Sequence, residues 1–368
     1  MTKKWVLAGT LFSPLLALGL STGAVQSQST GLPPLTELGQ YAVGVKTMQF
    51  TDPTRDNWTL ETYVWFPADP SIARQFREGS PLHIGAVPDK SAAPYPLIIY
   101  SHGWNTGPTD FSQVVEHLAS HGYVVAAPQH HDTRPLHFEL VDRPLDILTV
   151  LNGLAVVNDR DLEDMINTDN VGLIGYSVGA ETVLQMLGLL RDPVHYTTWC
   201  TEHSDLTSWD CVRPEDVGQW PFQEIAAYRS QLGLENMSDG QWAPFGDERI
   251  HAVLAIAAPD FPLTTEAMLA AVTTPTMILH GTRDPGADYQ GNAVRTFSGL
   301  GTEDRFLVTV IDGVHDTFVV RPELEQHFAS AFFGHYIKGA QNFADYLTAD
   351  HLPVWNNLQL YWGAYPPN

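Results

Sequence analysis

From Tyr41 onward the chain alternates two hydrophobic rhythms. Short apolar runs bounded by Gly, Pro, Asp or Asn recur at Tyr41–Phe50, Leu60–Phe66, Pro96–Tyr100, Tyr123–Ala127, Val171–Gly175, His251–Ala257, Thr276–His280 and Phe306–Ile311. Their length and β-branched content are those of buried strands. Between and after them, Phe111–His121, Pro144–Val157, Val178–Leu190 and Pro322–Lys338 carry apolar residues at helical spacing. The first two runs are joined through the turn-prone Asp52-Pro53-Thr54-Arg55, which predicts an opening antiparallel pair. The rest predicts an α/β fold with a mostly parallel, doubly wound sheet and a ligand crevice at the carboxyl ends of its strands.

One stretch breaks the rhythm. Between Arg191 and Asp247 periodicity fades, and Trp199, Trp209, Trp220 and Trp242 stand among polar and charged residues. A structureless loop of that length is unusual in a compact domain, so residues 191–247 are expected to form an inserted cap over the sheet edge. The alternative is a structural skin with its Trp side chains packed inward.

The amino terminus reads as an export signal over residues 1–27: Lys3 and Lys4 precede a mostly apolar Trp5–Leu20, with small residues around Ala24 and Ser27. Its shortness and Pro14 argue against a retained membrane anchor. A Ser, Gly and Pro-containing linker over 28–40 then leads to one catalytic domain over 41–368, expected to be secreted or periplasmic. The formal charge of −23 becomes −25 once Lys3 and Lys4 leave with the signal. Such a surface repels polyanions, which argues against nucleic acid or anionic membrane as partners.

Cys200 and Cys211 are the only two cysteines, and an exported chain meets an oxidising compartment, so a disulfide is expected between them. The competing reading is a zinc site with His195 and His203, but no second regular ligand pair follows. His130-His131-Asp132 also resembles a metal cluster, although adjacent residues on an extended segment face opposite sides. Neither a metal nor a cofactor is expected.

The chemistry centres on Gly175-Tyr176-Ser177-Val178-Gly179, a G-x-S-x-G between a predicted strand and a predicted helix. In that context the serine sits on a strained turn, and the glycines let strand and helix approach closely. A nucleophilic serine needs a base and an orienting acid, which in this arrangement follow on later strand-end loops in the order acid, then histidine. Asp284 follows the strand ending at His280, and His315 follows the one ending at Ile311. Asp260 and Asp288 compete with Asp284 for the acid's role. An oxyanion would be held by backbone N–H groups: that of Val178, next to the nucleophile, and that of Trp104 in Ser101-His102-Gly103-Trp104. His102 is expected to make a structural hydrogen bond beneath that loop.

These motifs resemble the bacterial predicted dienelactone hydrolases, related to the platelet-activating-factor acetylhydrolase and polyester-hydrolase branch of the α/β-hydrolases. The resemblance runs from Tyr41 to Lys338 through Val43-Gly44-Val45, Asp52-Pro53-Thr54-Arg55, Val64-Trp65-Phe66-Pro67-Ala68, Ser101-His102-Gly103, His121–Pro128, Arg143-Pro144-Leu145-Asp146-Ile147 and the Ser177 elbow. It implies an α/β-hydrolase fold, a triad of Ser177, Asp284 and His315, and oxyanion donors at Trp104 and Val178. Dienelactone hydrolase itself uses a cysteine nucleophile, so lactone hydrolysis does not carry over. Acetylhydrolases place their acid after the earlier strand, where this chain is apolar around Ala257, which favours Asp284 and keeps Asp260 in contention. The expected activity is hydrolysis of small, neutral or apolar carboxylic esters through an acyl-enzyme. A serine peptidase or amidase on the same triad, and a non-catalytic binding protein on a hydrolase scaffold, are the competing classes.

Overall fold

In the computed structural model, residues 32–71, 74–75, 81–131, 136–157, 159–202, 222–237, 239–259, 262–352, 355 and 357–363 are described. The expected leader at 1–27, most of the linker, Asp260, His203, Trp209, Cys211 and Trp220 lie outside them.

The chain opens with β1 (Ala42–Asp52) and β2 (Trp58–Ala68), antiparallel in register from Ala42↔Ala68 to Asp52↔Trp58. Their connection is tight because Asp52 caps it, accepting from Thr54 N–H and Oγ1–H through one carboxylate oxygen while Arg55 donates to the other. A small pair, β3 (Arg74–Gln75) and β4 (His83–Ile84), follows. The parallel core then builds from β5 (Tyr95–Ser101), β6 (Val124–Pro128), β7 (Ile166–Tyr176), β8 (Ile250–Ile256), β9 (Thr276–Gly281) and β10 (Arg305–Val310). β11 (Leu358–Trp362) closes the far edge, antiparallel to β10. The nine-stranded order is β1-β2-β6-β5-β7-β8-β9-β10-β11.

Side chains along the central strands alternate between two apolar layers, as the two-residue period of a strand requires. On one face Leu97, Ile99, Leu173 and Val253 pack against α2 (Glu139–Ala155) and α3 (Val178–Gln185). On the other, Ile98, Tyr100, Ile174 and Leu254 pack against α1 (Ser112–Ser120) and the C-terminal helix Pro322–Tyr336. This is the mostly parallel, doubly wound sheet with an opening antiparallel pair that the hydrophobic pattern predicts.

Three boundaries differ from the sequence expectation. α2 begins at Glu139, not Pro144, because a proline this near the amino end withdraws only the hydrogen bond to the Leu140 carbonyl. Glu139 and Asp142 suit the positive end of the helix dipole, and Arg143 ties back to Glu139 one turn earlier. α3 stops at Gln185, not Leu190, where Gly188 at φ 78° turns the chain and Leu187 bridges to Gly246. β11, Leu-Gln-Leu-Tyr-Trp, was not foreseen: its apolar run is only five residues long and stands after the last expected helix, and Leu360 alone of it is buried.

Within 191–247 the described residues form α4 (Pro193–Glu202) and α5 (Phe222–Gln231). Trp242 is buried, bridged through its backbone to Arg191, with its ring against Phe222 and the Arg229 guanidinium. It continues the apolar layer of α2 and α3.

Burial of imidazoles, His117 and His327 among them, is expected to make the fold acid-sensitive. His117 on α1 meets Ser330 Oγ on the C-terminal helix at 2.8 Å, and His327 Nδ1 accepts from Leu35 N–H. Burial lowers His117 from 6.5 to about 3 and His327 from 6.5 to about 4. Between pH 6.5 and about 4 the unfolded chain therefore binds protons that the folded chain refuses, and stability falls as pH falls. Urea midpoints recorded from pH 7 to pH 4 are expected to decline across that window, each histidine contributing on the order of 1 kcal/mol per pH unit. His117→Gln is expected to flatten the decline; an unchanged slope would assign the acid sensitivity elsewhere.

Candidate active site

The chain reverses its direction of travel across the sheet at β5. From β5 it moves outward to β6, then crosses back through α2 to β7 on the other side of β5. A crevice opens at such a switch point, beyond the carboxyl ends of the two strands. The loops that leave those ends are Ser101–Trp104 and the turn at Ser177.

Ser177 stands between β7 and α3 at φ 53°, ψ −125°, a conformation that costs a non-glycine residue on the order of 1–3 kcal/mol. It is held there because Ser177 N–H donates to the Ile256 carbonyl of β8, and its own carbonyl accepts from Ala180 and Glu181 at the start of α3. The flanking glycines are sterically obligatory. A Cβ on Gly175 would stand 2.2 Å from the Gly179 carbonyl oxygen, and one on Gly179 would stand 2.0 Å from that of Ser101. The helix thus starts in direct contact with the end of β5.

The acid and histidine loops are joined to each other before they reach the serine. Arg283 N–H donates to the Gly313 carbonyl, Thr282 N–H to that of Val310, and Asp312 N–H to Thr282 Oγ1. A Cβ on Gly281 would meet the Gly313 carbonyl oxygen at 2.4 Å, so this approach also needs glycine. His315 Nε2 lies 2.9 Å from Ser177 Oγ, and its Nδ1 lies 2.7 Å from Asp284 Oδ2. A carboxylate only accepts, so Nδ1 carries the hydrogen and Nε2 is left to accept from the serine hydroxyl. Asp284 is itself oriented by the N–H groups of Gly286 and Ala287, both donating to Oδ1. Its side chain is fully buried, while that of His315 is 26 % exposed. Tyr176 steadies the histidine loop by donating to Asp316 Oδ1 and the His315 carbonyl. Burial raises the Tyr176 phenol, so it stays a donor.

The other expected candidates fall in different places. Asp288 caps the turn that follows, accepting from Gly291 N–H, and its carboxylate has no hydrogen bond to His315 among those described. Asp260 is outside the described residues. Val178 is buried at the first position of α3, and Trp104 is half-buried in the loop after β5. His130 and His131 point apart: His130 meets Asp146 Oδ2 at 2.8 Å and Ser101 Oγ at 3.0 Å, whereas His131, on the exposed side, meets the Thr59 carbonyl. Cys200 lies near the end of α4, and its expected partner Cys211 is outside the described residues. Trp199, one residue before it, reaches the acid loop, since a Cβ on Gly291 would meet its ring at 3.5 Å.

A column of polar side chains beneath the site was not foreseen. Asp52 pairs with Arg55, Arg55 with Asp146 at 2.8 Å, Asp146 with His130, and His130 with Ser101. Burial raises Asp146 to about 6 against the opposing pull of Arg55, and burial holds His130 well below its ordinary value. The sequence signal was there in Asp52-Pro53-Thr54-Arg55 and Arg143-Pro144-Leu145-Asp146, but nothing in the spacing says that the two segments meet.

The chain matches the chlorophyllase family model over residues 68–198, the segment that holds both Ser101–Trp104 and the Ser177 elbow. It is similar to the platelet-activating factor acetylhydrolase of Bos taurus, at 31% identity over 141 residues, covering 25% of this chain and 32% of that one. It is also similar to that of Canis lupus familiaris, at 28% identity over 148 residues, covering 27% and 33%. The fold is that of an α/β-hydrolase. The chain spans about a third of the length of these curated relatives.

Ser177 is expected to be labelled by an organophosphonate, with Asp284→Asn slowing the labelling on the order of a thousandfold. Asp288→Ala is expected to leave the labelling rate alone and lower the urea midpoint through loss of the cap. Mass spectrometry of timed aliquots checks both. A larger effect at Asp288 would exchange the two roles.

Proposed function

We propose that this protein is a secreted serine hydrolase that cleaves carboxylic esters through an acyl-enzyme intermediate. The reading is carried by the run from Ser177 Oγ to His315 Nε2 and from His315 Nδ1 to Asp284, at 2.9 and 2.7 Å, with the serine on a strained elbow. Similarity to two acetylhydrolases supports it.

In this mechanism Ser177 Oγ attacks the ester carbonyl carbon while His315 Nε2 takes the hydroxyl proton. Asp284 holds the imidazole in the right tautomer and stabilises the imidazolium. The carbonyl π electrons move onto oxygen, and the backbone N–H groups of Val178 and Trp104 receive the developing charge. Collapse expels the alcohol, which takes its proton from His315, and leaves acyl-Ser177. Water, deprotonated by His315, then attacks the acyl carbon and releases the carboxylic acid and the serine hydroxyl. The steps need no cofactor.

The substrate under this reading is a small, neutral or apolar ester. Residues 41–368 make up one catalytic domain, 28–40 a linker and 1–27 a cleaved signal. Residues 191–247 form a cap pinned by a Cys200–Cys211 disulfide, with Trp199 at the entrance. Support for the cap comes from the contact of Trp199 with Gly291, seven residues beyond Asp284, while the burial of Trp242 supplies its footing.

Turnover of nitrophenyl esters of increasing acyl length, beside the matching anilides, tests the function. Ser177→Ala and His315→Ala are each expected to lower ester turnover at least about a thousandfold. Comparable cleavage of the anilides would make the protein an amidase, and no turnover of either would make it a binding protein. For the cap, Trp199→Ala is expected to raise KM severalfold for long acyl esters, with acetate esters little changed. An equal effect on both would reduce the segment to a structural skin.

A further inference from the structure

The loop after β5 carries an unusual concentration of hydrogen-bond donors on one atom. The Gly103 carbonyl oxygen receives His102 Nδ1 at 2.8 Å, Thr106 Oγ1 at 3.0 Å and Arg143 Nη2 at 3.2 Å. Arg143 also donates through Nη1 to the His102 carbonyl, and its Nε is fixed by Glu139 at 2.8 Å. Arg143 and His102 are fully buried. The tautomer of His102 follows from geometry: His130 N–H donates to His102 Nε2 at 3.1 Å, so the ring hydrogen is on Nδ1 and points at Gly103.

A carbonyl in a loop has two lone pairs and is ordinarily satisfied by one or two partners. Three donors on this one, including a buried guanidinium, exceed what satisfying the group requires. What they determine is the orientation of a peptide plane. The Gly103 C=O and the Trp104 N–H belong to the same planar trans peptide, so they point in opposite directions, and fixing one fixes the other. Drawing electron density toward the carbonyl oxygen also makes the N–H a stronger donor, as in any chain of hydrogen bonds. The loop lies directly against the nucleophile's turn: a Cβ on Gly179 would meet the His102 carbonyl oxygen at 2.6 Å, and one on Gly103 would meet the Tyr176 ring at 3.1 Å.

We infer that Arg143, His102 and Thr106 form a clamp on the Gly103–Trp104 peptide that aims and polarises the Trp104 N–H toward the oxyanion, making Arg143 a positioning residue of the reaction. This rests on the proposed ester hydrolysis and adds the device that preorganises its second oxyanion donor. The guanidinium acts through its fork, one nitrogen on each of two successive carbonyls, which an ammonium cannot reproduce.

A clamp and a merely structural hydrogen-bond set differ in what they do to the transition state. The test compares each ester with its thionoester, whose larger, poorly accepting sulfur gains little from oxyanion donors, so the ester-to-thionoester ratio of kcat reports the donors' strength. Arg143→Lys is expected to lower kcat for the ester about tenfold to a hundredfold, with KM little changed and the ratio falling in parallel. Thr106→Val, a half-buried change that keeps side-chain volume, is expected to lower kcat and the ratio about threefold to tenfold. Thr106→Ser, which returns the hydroxyl, should recover most of both. If Arg143→Lys fails to fold, the Thr106 pair decides alone. Wild-type kcat and an unchanged ratio in Thr106→Val, or a kcat loss with no change in ratio, would overturn the clamp while leaving ester hydrolysis standing. Ester turnover that survives Ser177→Ala, or is absent from the wild type, would overturn the proposed function and the clamp with it.

Discussion

The arrangement of the candidate site depends on one contact: the first turn of α3 against the carbonyl end of β5. At Gly179 the α-carbon lies so near Ser101 that any β-carbon would overlap its carbonyl oxygen. That approach brings the turn at Ser177 beside the loop that holds Trp104, and it requires Gly175 in the same way one turn earlier. The strained dihedrals of Ser177 follow from it, since the chain must leave a strand and enter a helix within a single residue. A second glycine contact, Gly281 against Gly313, does for the acid and histidine loops what Gly179 does for the elbow. Two close approaches, each needing a residue with no side chain, bring three distant segments to hydrogen-bonding distance.

Beneath those contacts runs the buried polar column from Asp52 to Ser101. Burying Arg55, Asp146 and His130 is expensive unless every charge is paired, and breaking such a group by removing one partner typically costs about 3–5 kcal/mol. The arrangement gives the opening hairpin a purpose beyond covering the sheet edge. Arg55, on the turn between β1 and β2, reaches under α2 to Asp146 and through it to the strand end that carries the candidate oxyanion loop. Trp58 adds a third donor to Asp146 and a ring face for Arg55. Arg143, one residue before Pro144 on the same helix, takes hold of that loop from its other end. The helix α2 therefore links the hairpin to the crevice, which accounts for its polar, buried first turns in a segment otherwise built to cover a sheet.

The insertion is better understood as two parts than as one. Its later half, around Trp242 and Arg229, is packed into the apolar layer shared with α2 and α3 and is an extension of the core. Its earlier part, α4, buries Tyr196 in the same layer against Phe222 and holds Trp199 near Gly291, in the helical turn after the acid loop. The aromatics of the described residues thus differ in what each touches.

Much of this was legible along the chain, for identifiable reasons. Strands that are buried on both faces must be apolar throughout, so β5 to β10 announced themselves within a residue or two, apart from the amino-terminal extension of β7. An elbow needs glycine two residues either side of the serine, so the spacing together with its place between strand and helix points to Ser177 as the candidate nucleophile, and strand-end loops in chain order point to Asp284 and His315 as its candidate partners. β11 was not legible because a lone five-residue apolar run does not by periodicity separate strand from helix or loop, and the early start of α2 was hidden by Pro144, whose local preference the helix overrides. The separation of Asp284 from Asp288 lay beyond any pattern: four residues apart, they are told apart because the chain brings Asp284 to an imidazole while Asp288 caps the helical turn that follows. The polar column and the grip of Arg143 on Gly103 were decided by tertiary structure for the same reason. Periodicity records which face of an element is buried, but the pairing of polar groups from segments far apart in the chain is set by how the elements cross.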